Sequence, residues 1–220
     1  MTIDYAHARE AMVEQQVRPW DVLDLRVLEV LGAVPRERFV PAPYQAVAYA
    51  DLEIPLAHGE RMLKPVVAGR ALQGLLAAPQ ESVLEIGTGS GYLSACLSRL
   101  ARDVVTIERH ADLADAARAT LHGVSMINVD VIHADAFAWT PDRQFDAICV
   151  NAAVDGVPSR FVEWLRPGGR MFVVRGRAPA MEAILVHRGT GDVNATRIES
   201  LFETELGYLA GAAPAAAFQF

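Results

Sequence analysis

Val83-Leu84-Glu85-Ile86-Gly87-Thr88-Gly89-Ser90-Gly91-Tyr92 decides the fold. An apolar run ends on an acid, enters a Gly-x-Gly-x-Gly turn and opens the helical pattern Tyr92–Leu100. The first glycine permits the tight turn, the second lets a ligand approach the backbone, and the third lets helix and strand pack closely. A helix start of this kind offers free N–H groups and partial positive charge, which suits a carboxylate or phosphate. The dinucleotide fingerprint Gly-x-Gly-x-x-Gly needs glycine at position 92, where this chain has tyrosine. With no hydride-site candidate either, an NAD-dependent oxidoreductase is excluded.

Glu85 repels a pyrophosphate and suits a ligand that carries a cation, such as the ammonium of an amino acid. S-Adenosyl-L-methionine has an ammonium, a carboxylate and a sulfonium, and it fits both features. Glu108 ends the next apolar run, Val104–Ile107, where a carboxylate accepts hydrogen bonds from both ribose hydroxyls of an adenosine. Asp135, in His133-Ala134-Asp135-Ala136, stands after the third run and suits the exocyclic amine of adenine. Asn151, in Asn151-Ala152-Ala153, follows Phe145–Val150 and marks where reactants meet at the carboxyl edge of the sheet. The candidate cofactor set is therefore Glu85, Gly87, Thr88, Gly89, Ser90, Gly91, Glu108, Arg109, Asp135, Ala136 and Asn151. Taken singly, each has a plain structural role as turn, strand end or cap; their order and spacing together carry the reading.

Around this centre, residues 65–175 alternate short apolar runs with helical patterns. The runs are Ser82–Ile86, Val104–Ile107, Val129–Ile132, Phe145–Val150 and Arg170–Val174; the helices are Tyr92–Leu100, Ala111–Leu121 and Pro158–Leu165. Parallel strands need crossovers that cover both faces, so the expected fold is an α/β, Rossmann-like, mostly parallel sheet with helices on both faces. Pro65 is suited to the first turn of a helix carrying Val67, Ala71 and Leu75. Leu165-Arg166-Pro167-Gly168-Gly169-Arg170 reads as a turn before a strand. Residues 1–64 combine a helix starting near Asp21, a plausible N-cap, with an irregular stretch from 34 to 64 punctuated by four prolines, Pro35, Pro41, Pro43 and Pro55. Residues 176–220 change texture: Ala180–His187 and Arg197–Thr204 read as antiparallel strands about a turn at Gly189–Asp192. Phe218-Gln-Phe220 is either a loose end or a final edge strand. The chain is expected to form a single domain.

The whole chain has 220 residues, 52% hydrophobic and 21% charged, so it is not intrinsically disordered. Its net charge of −7 repels a phosphate backbone, so nucleic acid is not an expected partner. No run reaches the roughly 18 apolar residues of a membrane span, and the N-terminus lacks a basic region followed by an apolar stretch. Cys96 and Cys149 lie in apolar segments and read as buried thiols in a reducing compartment, hence a cytoplasmic protein. The six histidines, His7, His58, His110, His122, His133 and His187, share no helix-face spacing, so no metal site is expected. Nothing in the sequence specifies an oligomeric state.

Over nearly its whole length the chain resembles the protein-L-isoaspartate O-methyltransferases. The resemblance rests on Met12-Val13, on Val34-Pro35-Arg36-Glu37-Arg38-Phe39-Val40-Pro41, on Ala48-Tyr49-Ala50-Asp51 followed by Ile54-Pro55, and on Ser90-Gly91-Tyr92. It implies a class I S-adenosylmethionine-dependent methyltransferase with an N-terminal helical lid. It also implies methyl transfer to the free α-carboxylate of L-isoaspartyl residues in damaged proteins or peptides, with S-adenosyl-L-homocysteine as product. Family members typically carry a Thr-Ile-Ser-Gln-Pro-like substrate loop; here the matching residues are Arg61-Met62-Leu63-Lys64-Pro65. Arg61, Met62, Leu63 and Lys64 are thus the acceptor-side candidates. Leu63 in place of serine leaves two alternatives open: a methyltransferase of the same fold acting on another small-molecule or protein acceptor, or a binder of S-adenosylmethionine without turnover.

Overall fold

The computed structural model describes residues 3–191 and 196–215. Strand β3 (Ser82–Ile86) is buried along its whole length. It pairs in parallel with β4 (Asp103–Glu108) on one side and β6 (Phe145–Val154) on the other. Strand β5 (Val129–His133) extends this sheet beyond β4, and β7 (Leu165–Arg177) extends it in parallel beyond β6. Then β8 (Ala180–Arg188) and β9 (Thr196–Glu203) add on antiparallel, giving the order β5-β4-β3-β6-β7-β8-β9. Helices α4 (Tyr92–Ser98), α5 (Ala111–Gly123) and α6 (Ser159–Glu163) make the crossovers. Strand order reverses between β3 and β6, and a crevice opens at the carboxyl ends of strands at such a switch point.

The N-terminal part supplies α1 (Tyr5–Met12), α2 (Leu25–Ala33), the short pair β1 (Ile54–Pro55) and β2 (Arg61–Met62), and α3 (Pro65–Leu75). Between α2 and α3 the chain runs as short 3₁₀ turns, as its prolines require. Met12, Val17, Leu31, Leu72 and Leu75 join Phe172 and Leu185 in one continuous core, with α3 packed on β6 and β7 and α2 packed in turn on α3. Leu84, Ile86, Phe145, Phe161 and Trp164 form the core on the other face.

Three expectations are corrected. Helix α2 is capped by Asp24, whose carboxylate accepts from Arg26 N at 3.0 Å and Val27 N at 3.3 Å, while Asp21 sits in a left-handed turn at φ 57°. The Gln73 side chain holds that turn, accepting from Leu23 N and Asp24 N and donating to the Asp21 carbonyl, so a tertiary contact chooses between the two aspartates. Leu165–Arg170 is a bulge inside β7: Leu165 pairs with Phe145 and Arg170 with Ala147, and the excess residues are accommodated at Gly168, φ 81°. Helix α6 is shorter than the expected Pro158–Leu165 because β7 already begins at Leu165.

Beyond β9 the chain turns back to the end of β6. Ala153 N donates to Gly207 O and Leu209 N to Ala153 O, both at 2.8 Å. The Tyr208 hydroxyl donates to Gly176 O at 3.0 Å. Asp192 and Phe218-Gln-Phe220 lie outside the described residues. Among those described, no helix is long and apolar enough to cross a membrane.

Candidate functional site

All three glycines of the turn hold positive φ: 92° at Gly87, 53° at Gly89 and 83° at Gly91. A side chain on Gly89 would meet Leu56 Cδ1 at 3.2 Å, and one on Gly91 would press on Leu121 Cδ1 at 3.3 Å. The second glycine therefore faces the loop carrying Leu56, and the third lets α4 start against α5. Gly87 N donates to Ile107 O at 2.9 Å, which ties the turn to β4.

Glu108, at the end of β4, is bound at both oxygens. Oε2 accepts from Gly89 N at 2.9 Å and Oε1 from His110 N at 3.0 Å. These contacts fix the carboxylate beside the turn. Asp135 Oδ1 accepts from Phe137 N at 2.8 Å, which orients its carboxylate as β5 ends. Thr88 and Thr106 share a hydroxyl hydrogen bond of 2.7 Å beneath the turn.

Glu85 is fully buried, receives the Ser94 hydroxyl, and accepts from Asn151 Nδ2 at 2.7 Å. Asn151 Nδ2 also donates to Gly87 O at 2.9 Å, so the acid orients an amide that is itself pinned to the turn. Burial pushes the Glu85 carboxyl up to about 7, against the hydrogen bonds that favour its ionised form. Burial also raises both thiols, Cys96 to about 12 and Cys149 well above its ordinary value, so neither is a thiolate nucleophile near neutral pH.

One cleft gathers Gly87, Thr88, Gly89, Ser90, Glu108, Arg109, Asp135, Ala136 and Asn151 with Arg61, Met62 and Leu63. Three of the sequence candidates do not line it. Glu85 stands behind Asn151, Gly91 is spent on helix packing, and Lys64 is an exposed residue at the start of α3. The cleft also takes in residues that the sequence did not single out as site residues, above all Arg36 and Tyr92 on the acceptor side and Tyr208–Ala210 from the returning C-terminal segment. Arg36 was visible only as part of a motif. The Tyr208 segment is brought in by pairing with Ala153 and had no local signal.

A clasp joins two loops beside Glu60, which lines the cleft. The His58 ring lies flat on that of His110, centroids 4.1 Å apart at 5°. His58 Nε2 is 2.8 Å from Asp112 Oδ1, and His110 Nε2 is 3.5 Å from Glu60 Oε1. The pair joins the loop before β2 to the loop after β4. Neither His58 nor His133 lines the cleft, whereas Glu60 does. Among the described residues, no three His, Cys, Asp or Glu side chains form a metal-binding group.

The family model described as Protein-L-isoaspartate(D-aspartate) O-methyltransferase (PCMT) matches residues 7–201. A protein-L-isoaspartate O-methyltransferase of Koribacter versatilis is 38% identical over 89% of this chain and 88% of its own. Another, from Methanoregula boonei, is 36% identical over 91% and 94% of the two chains. Among solved structures, a putative protein-L-isoaspartate O-methyltransferase from Plasmodium falciparum, in complex with S-adenosyl-L-homocysteine, superposes with a TM-score of 0.79. It covers 91% of this chain and 97% of its own at 18% identity, a likeness of fold.

Proposed function

Because the chain belongs to the protein-L-isoaspartate O-methyltransferase family, we propose that it transfers a methyl group from S-adenosyl-L-methionine to the free α-carboxylate of L-isoaspartyl residues in proteins or peptides. The observation that carries this reading is a single cleft lined by both the glycine turn and the acceptor-side residues Arg61, Met62 and Leu63. Donor and acceptor then meet without a large rearrangement.

The residues present fit the cofactor. The positive-φ turn lines the cleft without side chains at Gly87 and Gly89, which leaves room for its amino-acid end; the fixed carboxylate of Glu108 suits a ribose diol, and Asp135 suits an adenine amine. Arg109 and Ala136 complete the walls beside these two acids, and Thr88 and Ser90 line the turn. Glu85 acts through Asn151, whose amide lines the cleft.

When bound, S-adenosylmethionine supplies a methyl carbon already activated by the positive sulfur. A substrate carboxylate with pKa of about 4 is ionised at neutral pH, so the chain has no proton to remove from it. What its residues contribute is orientation and exclusion of water. Met62 and Leu63 present apolar surface, and Arg61, 3.9 Å from Glu53, stands exposed beside them. Two buried free cysteines agree with a reducing, cytoplasmic setting.

The test is transfer of labelled methyl from S-adenosylmethionine to an isoaspartyl peptide, with the normal aspartyl peptide as control. Base-labile label on the isoaspartyl peptide alone is expected. Gly89→Val serves as the negative control: it forces a β-branched residue to φ 53° against Leu56 and is expected to abolish S-adenosylhomocysteine binding. Absence of transfer by a protein that binds S-adenosylhomocysteine would shift the acceptor to another molecule, or the role to binding alone.

A further inference from the structure

Arg36 is a buried cation without an anion. It is 1% exposed, yet it lines the cleft beside Leu63 and Tyr92. Nε donates to Ala48 O and Nη2 to Leu63 O, each at 2.8 Å, and the guanidinium lies 4.6 Å from the centre of the Tyr92 ring. Neither carbonyl neutralises the charge, and Nη1 has no acceptor among the described residues. The adjacent acid, Glu37, turns the other way and binds Tyr49 and Arg9. The Tyr92 hydroxyl, buried in the same wall, also lacks a partner. Arg188, likewise buried without an acid, ends on the carbonyls of Glu163 and Leu165 and lines no part of the cleft.

Removing a guanidinium from water is costly unless an anion joins it. Here folding has already desolvated the cation and fixed its fork, so an arriving carboxylate meets a preorganised charge. We propose that Arg36 is the residue that recognises the acceptor's carboxylate, reading its negative charge from the wall of the cleft behind Leu63. This deepens the function proposed above and rests on it. It also gives the acceptor loop a polar partner at a position where Leu63 has no hydroxyl.

The test compares two peptides binding to enzyme saturated with S-adenosylhomocysteine: one isoaspartyl, the other with the α-carboxylate replaced by a carboxamide. The wild type is expected to prefer the carboxylate. Arg36→Gln is expected to cut that preference about tenfold or more while leaving affinity for the carboxamide peptide and for S-adenosylhomocysteine in place. Arg36→Lys, which keeps the charge but not the fork, is expected to retain most of the preference, and it decides the question if the glutamine variant does not fold. A variant that weakens both peptides equally overturns the proposal, because Arg36 then only holds the Leu63 loop. Undiminished preference in Arg36→Gln overturns it as well. A wild type that binds S-adenosylhomocysteine but favours neither peptide overturns the isoaspartyl reading itself, and this one with it.

Discussion

Glu85 carries its carboxyl into the core at the end of β3, with hydrogen bonds from Ser94 and Asn151 but no cation beside it. Burial lifts it from an ordinary 4.5 to about 7. Between those two values the folded protein holds a proton that the unfolded chain has lost, so stability falls as pH rises from about 4.5 to about 7 and is level above. A shift of this size corresponds to a loss on the order of 3 kcal/mol. Gln at this position still accepts from Asn151 and donates to Ser94, and it does not ionise. Glu85→Gln is therefore expected to gain stability relative to wild type between pH 5 and pH 8, as read from denaturation midpoints. A difference between the two proteins that stays constant with pH would show that Glu85 does not titrate in this range. The sequence marks the acid at position 85 as a cofactor contact, whereas the structure sets it behind Asn151, outside the cleft lining. That arrangement was not legible, because contact with Asn151 spans 66 residues and is made only when β6 pairs with β3.

The same division holds among the elements. Buried parallel strands are short apolar runs, so β3, β4 and the first part of β6 were readable from such runs; β5, an edge strand with only Val131 buried, was read from the shorter apolar alternation Val129–Ile132. What escaped were features set by distant partners: Gln73 choosing Asp24 over Asp21 as a cap, the bulge that absorbs Pro167-Gly168-Gly169, and the return of residues 207–209 to Ala153. The loop before β2 belongs to this class. His58 holds a left-handed φ of 60° and stacks on His110, a contact that neither segment announces. That loop leads into Glu60, Arg61 and Met62 of the cleft lining, so release of a ligand past it is expected to part the stack. An aromatic stack is worth about 0.5–1.5 kcal/mol, so His58→Ala is expected to speed S-adenosylhomocysteine dissociation up to about tenfold with little change in thermal stability. Stopped-flow displacement measures this directly. An unaltered dissociation rate would mean that the stack does not gate the cleft.

Across the whole molecule, the N-terminal helices and the sheet share one core. Met12, Val17 and Leu31 belong to the same buried cluster as Leu75, Phe172 and Leu185. Helix α2 packs on α3, and α3 packs on β6 and β7, so opening α1 and α2 would uncover α3 and the core it shares with the sheet; the two parts are expected to unfold together, while the loop before β2 opens locally. Leu31 is fully buried on α2, and Leu31→Ala is expected to cost about 2–5 kcal/mol through lost burial and the cavity left behind. The decisive observation is where that loss is felt. Amide hydrogen exchange under rising denaturant should show the slowest amides of β3, β4 and β6 losing protection by the same free energy as those of α2, although Leu31 lies in none of those strands. Loss confined to α1 and α2 would make the N-terminal region a separately opening unit. The acceptor wall it contributes, Arg36 and the loop before β2 included, would then be free to form and dissolve without the sheet beneath it.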